Sequence, residues 1–158
     1  MLKKYLICFF ISMVPLIELR AGVPYGVGVL DLNYFTALGI CVLGNMLPVP
    51  IIYIFARKVL LWGRDKKYIG RFFTYCYEKG ERGGQKLIAR TGRGGLFAAL
   101  VLFVGIPIPG TGAWTGTLAA SFLDMGLKST TVAVSLGVIL AGIIMGVVTL
   151  TGVHIFGL

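Results

Sequence analysis

Gly105-Ile106-Pro107-Ile108-Pro109-Gly110-Thr111-Gly112 lies at the centre of an uncharged stretch, Gly94–Leu123, that is 30 residues long. About 20 helical residues cross the ~30 Å hydrocarbon core of a bilayer, so length alone would allow one span. The prolines remove amide donors and the glycines disfavour helix. What remains is two arms of about 12 residues, each too short to cross. Such a segment is expected to be a re-entrant hairpin, two half-helices meeting at a turn inside the membrane; the alternative is one kinked span. Non-helical backbone at that depth needs protein or a water-filled cavity around it.

Three other uncharged stretches surround this one. Asn33–Ala56 has 24 residues and Ser129–Leu158 has 30, and each reads as a full transmembrane helix. Tyr5–Ile17 has only 13 residues and runs into Pro15, Glu18, Arg20, Gly22 and Pro24 before a short apolar arm, Val27–Leu30. It is expected to form a second re-entrant hairpin. Lys3 and Lys4 ahead of it imitate a secretory leader, but the charged flank and the lack of an A-x-A site predict that it is retained.

Composition agrees with a membrane protein. Of 158 residues, 57% are hydrophobic and 13% charged, against about 25% charged in soluble domains. Mean hydropathy is +0.90. The net charge of +9 is concentrated: residues 57–93 hold eleven Lys and Arg against three acids, a local +8. A basic segment between apolar ones is the mark of a cytoplasmic loop. It would attract anionic headgroups, and nucleic-acid binding is not expected. Ile69, Phe72, Phe73 and Cys76 recur at helical spacing, which predicts an amphipathic surface helix in this loop. Cys8, Cys41 and Cys76 show no metal-binding spacing and read as small hydrophobes.

Shifting the chain by 93 residues places Leu30-Asp31 on Leu123-Asp124 and Leu43-Gly44 on Leu136-Gly137. Both halves then share one order: broken hairpin, acidic turn, full span. Because each half crosses once, the halves should run in opposite directions, as in inverted-repeat transporters. The expected fold is an all-α integral membrane protein with two inverted-topology repeats, each a re-entrant hairpin followed by a transmembrane helix. The boundaries are 1–31 (first hairpin), 32–56 (helix), 57–93 (basic cytoplasmic loop), 94–125 (second hairpin) and 126–158 (helix). A variant topology keeps the N-terminus inside by making Tyr5–Leu30 one kinked span.

Glu18 and Arg20 are the sharpest functional signal, since charge inside a membrane is costly and marks pathways or relays. At i and i+2 they do not face each other on a helix, so they pair across a turn or address different partners. Desolvation would favour the neutral form of Glu18 and bring proton uptake within reach. Arg20 could hold a carboxylate or phosphate or act as a gate. A structural ion pair is the plainer alternative. Around the second break, Pro107, Pro109, Gly110, Thr111, Trp114 and Thr115 are candidates for lining a substrate site, through freed backbone groups, hydroxyls and an aromatic face. Pro15, Pro24, Asn45 and Arg93 complete the candidate set, Asn45 chiefly as inter-helix glue. Asp31 and Asp124 read as helix N-caps. Gly142 and Gly146 form a GxxxG packing face. No nucleophile–base set, metal cluster, phosphate loop or cofactor motif is present, and no enzyme is expected.

The strings Pro15-Leu-Ile-Glu18-Leu-Arg20-Ala-Gly-Val-Pro24-Tyr-Gly26, Leu43-Gly-Asn45-Met-Leu-Pro48-Val-Pro50 and Pro107-Ile-Pro109-Gly-Thr-Gly-Ala-Trp114-Thr-Gly116 resemble the putative small multi-drug export protein family. That family is similar to the DedA superfamily, also called the VTT or SNARE-associated group. The resemblance implies two hairpins facing each other from opposite leaflets, and secondary transport or lipid translocation with proton coupling. One departure stands out. DedA proteins carry arginines in the second hairpin, whereas Gly94–Leu123 has no charge and only Arg90 and Arg93 stand at its entrance.

The expected function is secondary transport of a small amphiphilic solute or lipid across the cytoplasmic (inner) membrane. Glu18 would carry the proton, and membrane lipids and protons would be partners. An uncoupled lipid scramblase and a non-transporting assembly protein are the alternatives. So short a chain could need a second copy to close a pathway.

Overall fold

The computed structural model describes residues 1–15, 17–64, 70–108 and 110–156. They form seven helices: α1 (Leu2–Met13), α2 (Glu18–Gly28), α3 (Tyr34–Met46), α4 (Pro48–Arg64), α5 (Gly70–Gly105), α6 (Ala113–Phe122) and α7 (Leu127–Phe156). No strand occurs among the described residues.

Two helical runs are long and apolar enough to cross a membrane. The first, Tyr34–Gly63, joins α3 and α4 over 30 residues at mean hydropathy 2.0. The second, Leu127–Gly152, has 26 residues at 2.5. At 1.5 Å per residue both exceed the ~30 Å core. The first therefore continues past the predicted end at Ala56. Pro48 and Pro50 explain the interruption at Leu47, since neither can donate the amide that would continue the ladder. Within the basic segment, α5 is helical from Gly70 but breaks at Gly92, which adopts φ 70° and ψ 175°. The arm beyond it, Gly92–Gly105, is apolar and short. Of the apolar stripe predicted for this segment, Ile69 and the side chains of Phe72, Phe73 and Cys76 lie outside the described residues.

The helices pack as two trios. In the first, α1, α2 and the α3 part of the first span contact one another; in the second, α5, α6 and α7 do. The trios interlock because α2 also packs on α7 and α6 on α4. Small residues permit the closest approaches. A Cβ on Gly22 or Gly26 of α2 would lie 2.9 Å from the sulfur of Cys41 or Cys8 respectively. The predicted GxxxG face of α7 packs inside the chain: Gly142 lies under Leu38 and Gly146 under the Tyr34 ring. The Tyr34 hydroxyl donates to the Gly142 carbonyl at 3.1 Å.

The two aspartates differ from expectation. Asn33, not Asp31, caps α3, accepting from the Phe35 amide at 2.9 Å. Asp31 and Asp124 instead terminate the preceding helices, with φ of 56° and 53°. The Met125 amide reaches back to Ala120 O at 3.1 Å, closing α6 with an αL residue at Asp124. Short polar side chains tolerate that conformation better than most.

Candidate functional site

Helix–turn–helix pairs leave orphan carbonyls at the end of the first helix and orphan amides at the start of the second. Here α1–α2 turns at Val14–Ile17 and α5–α6 turns at Ile106–Gly112. The two turns touch, and the polar residues of each supply what the other lacks.

Glu18 and Arg20 act on the second turn. The Glu18 carboxylate accepts from the amides of Ala113 (3.2 Å) and Trp114 (3.1 Å), the first two of α6. It is 4% exposed. Arg20 takes the opposite end: its guanidinium donates to Ile106 O at 3.2 Å, to Thr111 Oγ1 at 2.8 Å and to Ile108 O. Thr111 donates in turn toward Ile106 O (2.9 Å) and Ile108 O (2.8 Å). An anion therefore sits at a helix N-terminus and a cation at a helix C-terminus, matching both ends of the broken helix. The pair does address different partners, one of the two arrangements its spacing allowed. Bonds of this charge-assisted kind contribute about 1.5–3 kcal/mol each.

The geometry is specific. Glu18 holds φ 51°, a left-handed conformation that is uncommon for a non-glycine residue. Gly112 leaves the space the carboxylate occupies, since a Cβ there would fall 2.7 Å from Glu18 Cδ.

The first turn is held by Asn45 and Trp114. Asn45 is fully buried on α3. With its amide oriented by the surrounding groups, Nδ2 donates to Ser12 O and Oδ1 accepts from the Leu19 amide at 3.2 Å. One side chain thus bridges the end of α1 and the start of α2. From the other hairpin, Trp114 Nε1 donates to Met13 O at 3.2 Å. Asn45 is glue, as expected, but between the two arms of a turn.

The remaining candidates spread out. Pro15 is exposed in the first turn and Pro24 lies inside α2. Pro107 stands in the second turn, Pro109 lies outside the described residues, and Gly110 turns the chain with φ 87°. Thr115 is half-buried on α6, where the buried hydroxyl residues are Thr117, which donates to Ala113 O, and Ser121. Arg93 is at the far end of the second hairpin, beside Asp124 and Ser129. Gly112, expected among the residues of the break, is the one that makes room for the Glu18 carboxylate. Ser12 had escaped notice; it enters through its main-chain O, which accepts from Asn45, while its hydroxyl donates to Phe9 O within α1. No group of three or more metal-ligating side chains occurs among the described residues.

Asp124 pairs with Arg57 of α4, and the Tyr53 hydroxyl accepts from the Gly126 amide at 3.0 Å. At the other end Lys4 donates to Leu30 O at 2.6 Å. Both hairpins are thereby tied at their open ends by a basic side chain.

No curated protein and no solved structure matches the chain. A family's sequence model does, over residues 18–144, beginning at Glu18 and covering Arg20, Asn45 and the whole second turn. With two helices apolar and long enough to cross a bilayer, the chain is a membrane protein and belongs to the family described as putative small multi-drug export protein.

Proposed function

We propose that the protein is a secondary transporter of the cytoplasmic membrane, moving a small amphiphilic solute or lipid between two re-entrant hairpins of an inverted repeat. The observation that carries this reading is the contact of the hairpin turns through Glu18 and Arg20. Lys4–Leu30 ties the open end of the first hairpin and Arg57–Asp124 that of the second; in this reading the two ends face opposite sides of the membrane. The repeat is supported by the matching trios, by the exchange of α2 and α6 onto the opposite span, and by the left-handed Asp31 and Asp124 93 residues apart. The basic segment lies on the cytoplasmic side in this reading, following the positive-inside rule. The same arrangement is what the resemblance to the DedA superfamily implies.

In the clamped state the turns seal the midplane. Protonating Glu18 removes its charge and leaves one oxygen as a donor, so it can no longer hold both α6 amides. The second turn loosens, a path opens beside Trp114 and Thr111, and release of the proton re-forms the clamp. No bond is made or broken in the substrate, and no cofactor is required.

The test is proton flux in proteoliposomes under a pH gradient, with lipophilic cations and then short-chain lipid phosphates added in turn. A substrate-dependent proton movement that disappears in Glu18→Gln, normalised to folded protein, is the expected result. Wild-type flux in that variant at every pH would sink the proton role. The internal satisfaction of both charges favours a second reading, a scaffold or uncoupled scramblase. It predicts no proton movement with any substrate.

A further inference from the structure

Beside the second hairpin lies an amphipathic cavity. Its polar part, about 340 Å³, is bounded by Arg93, Leu96, Asp124, Met125, Gly126 and Ser129. Leu96 and Met125 also line an adjoining, almost wholly apolar groove between α5 and α6, with Ala99, Leu100, Phe103, Ala119 and Leu123. The groove follows α5 from Leu96 to Phe103, roughly 10 Å at 1.5 Å per residue. It points toward the turn at Ile106. A cationic mouth at the open end of the hairpin therefore adjoins an apolar slot that runs along α5 as far as Phe103.

The charge at the mouth has a definite sign. Asp124 lines it but is already paired with Arg57. Arg93 is exposed and makes no ion pair among the described residues. The acid is neutralised and Arg93 is not, so the mouth complements an anion. A zwitterionic headgroup would bring a second charge that repels Arg93.

We propose that this cavity binds one anionic phospholipid from the leaflet bordering the basic segment, its phosphate on Arg93 and one acyl chain in the α5–α6 groove. The orientation of head and chain is that of a lipid in its own leaflet. The proposal rests on the reading that the second hairpin enters the membrane from the basic side. It adds to that reading a lipid-selective site on the outer flank of the hairpin, away from the Glu18–Arg20 clamp. A chain seated there lies along α6, the helix whose first amides the clamp holds.

The test is native mass spectrometry of protein released from nanodiscs of equal phosphatidylglycerol and phosphatidylcholine. Binding is read at equilibrium without any gradient, so its result is independent of flux. Wild type should retain one phosphatidylglycerol selectively. Arg93→Gln should lower that retention about fivefold, the factor one basic residue contributes beside an anionic surface. Arg90→Gln, an exposed basic residue outside the cavity, should leave it unchanged. Ala99→Phe, which fills the groove without altering charge, should displace the retained lipid. Equal effects of Arg93→Gln and Arg90→Gln would show diffuse attraction to the basic segment and overturn the site. So would unchanged retention in Ala99→Phe.

Discussion

Replacing Glu18 by Gln keeps the side-chain length and removes the charge. In the native protein the carboxylate holds two α6 amides, at 3.2 and 3.1 Å. An amide offers one oxygen, so one amide keeps a neutral bond and the other meets an NH2 donor. Bonds to a charged acceptor contribute about 1.5–3 kcal/mol, and neutral ones about 0.5–1.5 kcal/mol. The interaction of the charge with the α6 N-terminus overlaps with these bonds and is not added. The expected loss is about 2–4 kcal/mol. Titrating SDS into dodecylmaltoside micelles and following helical circular dichroism reads it as a shift of the unfolding midpoint. Glu18→Gly provides an internal check. It loses the clamp but relieves the left-handed strain at φ 51°, about 1–2 kcal/mol for an L-residue. It should therefore be about 1 kcal/mol more stable than Glu18→Ala. A Gln variant within about 0.5 kcal/mol of wild type, the range of an ordinary surface substitution, would refute the clamp. So would equal stabilities of the Gly and Ala variants.

Asn45→Ala leaves Ser12 O and the Leu19 amide unpaired, at about 1–3 kcal/mol for each buried group; hydrogen exchange at Leu19 should accelerate while α7 stays protected. Gly112→Ala places a Cβ against the Glu18 carboxylate, 2.7 Å from Cδ, and should cost about 2–4 kcal/mol by displacing it. In a Glu18→Gly background that cost should fall, leaving a coupling of at least about 1 kcal/mol in the double-mutant cycle.

The large apolar elements were legible because their signal is local. Uncharged length sets the spans around Asn33–Ala56 and Ser129–Leu158, and the proline and glycine cluster sets the second turn; at the first, only Pro15 falls in the turn, while Gly22 and Pro24 lie inside α2. The first span still outran its predicted end, since Arg57 and Lys58 stop an uncharged run without stopping a helix. Asp31 and Asp124 were misread for a related reason: an aspartate before an apolar run fits an N-cap, yet only backbone φ tells whether it closes the previous helix. Glu18 and Arg20 stood out as charges, but all their partners except the Thr111 hydroxyl are backbone atoms, and they lie 86 to 96 residues away. Pairing with main chain carries no residue signature, so Thr111 and Trp114 could be singled out at one end and Glu18 and Arg20 at the other without their meeting being legible. Ser12 was hidden in the same way, since what it supplies to the first turn is a main-chain carbonyl.

The two turns differ in how their needs are met, and synthesis from the N-terminus makes that difference matter. The first turn is bridged by Asn45, which lies in the same half of the chain and is made soon after it. The second turn depends on Glu18 and Arg20, which are made about 95 residues before Ala113. At about 5–20 residues per second this leaves roughly 5–20 s in which the first half exists with both charges waiting. A buried charge without its partners is costly, so the nascent first half is a primed acceptor for the arriving second helix pair. The earlier half thus acts as an intramolecular chaperone for the later one, and co-expressed halves should assemble only when the first carries both Glu18 and Arg20.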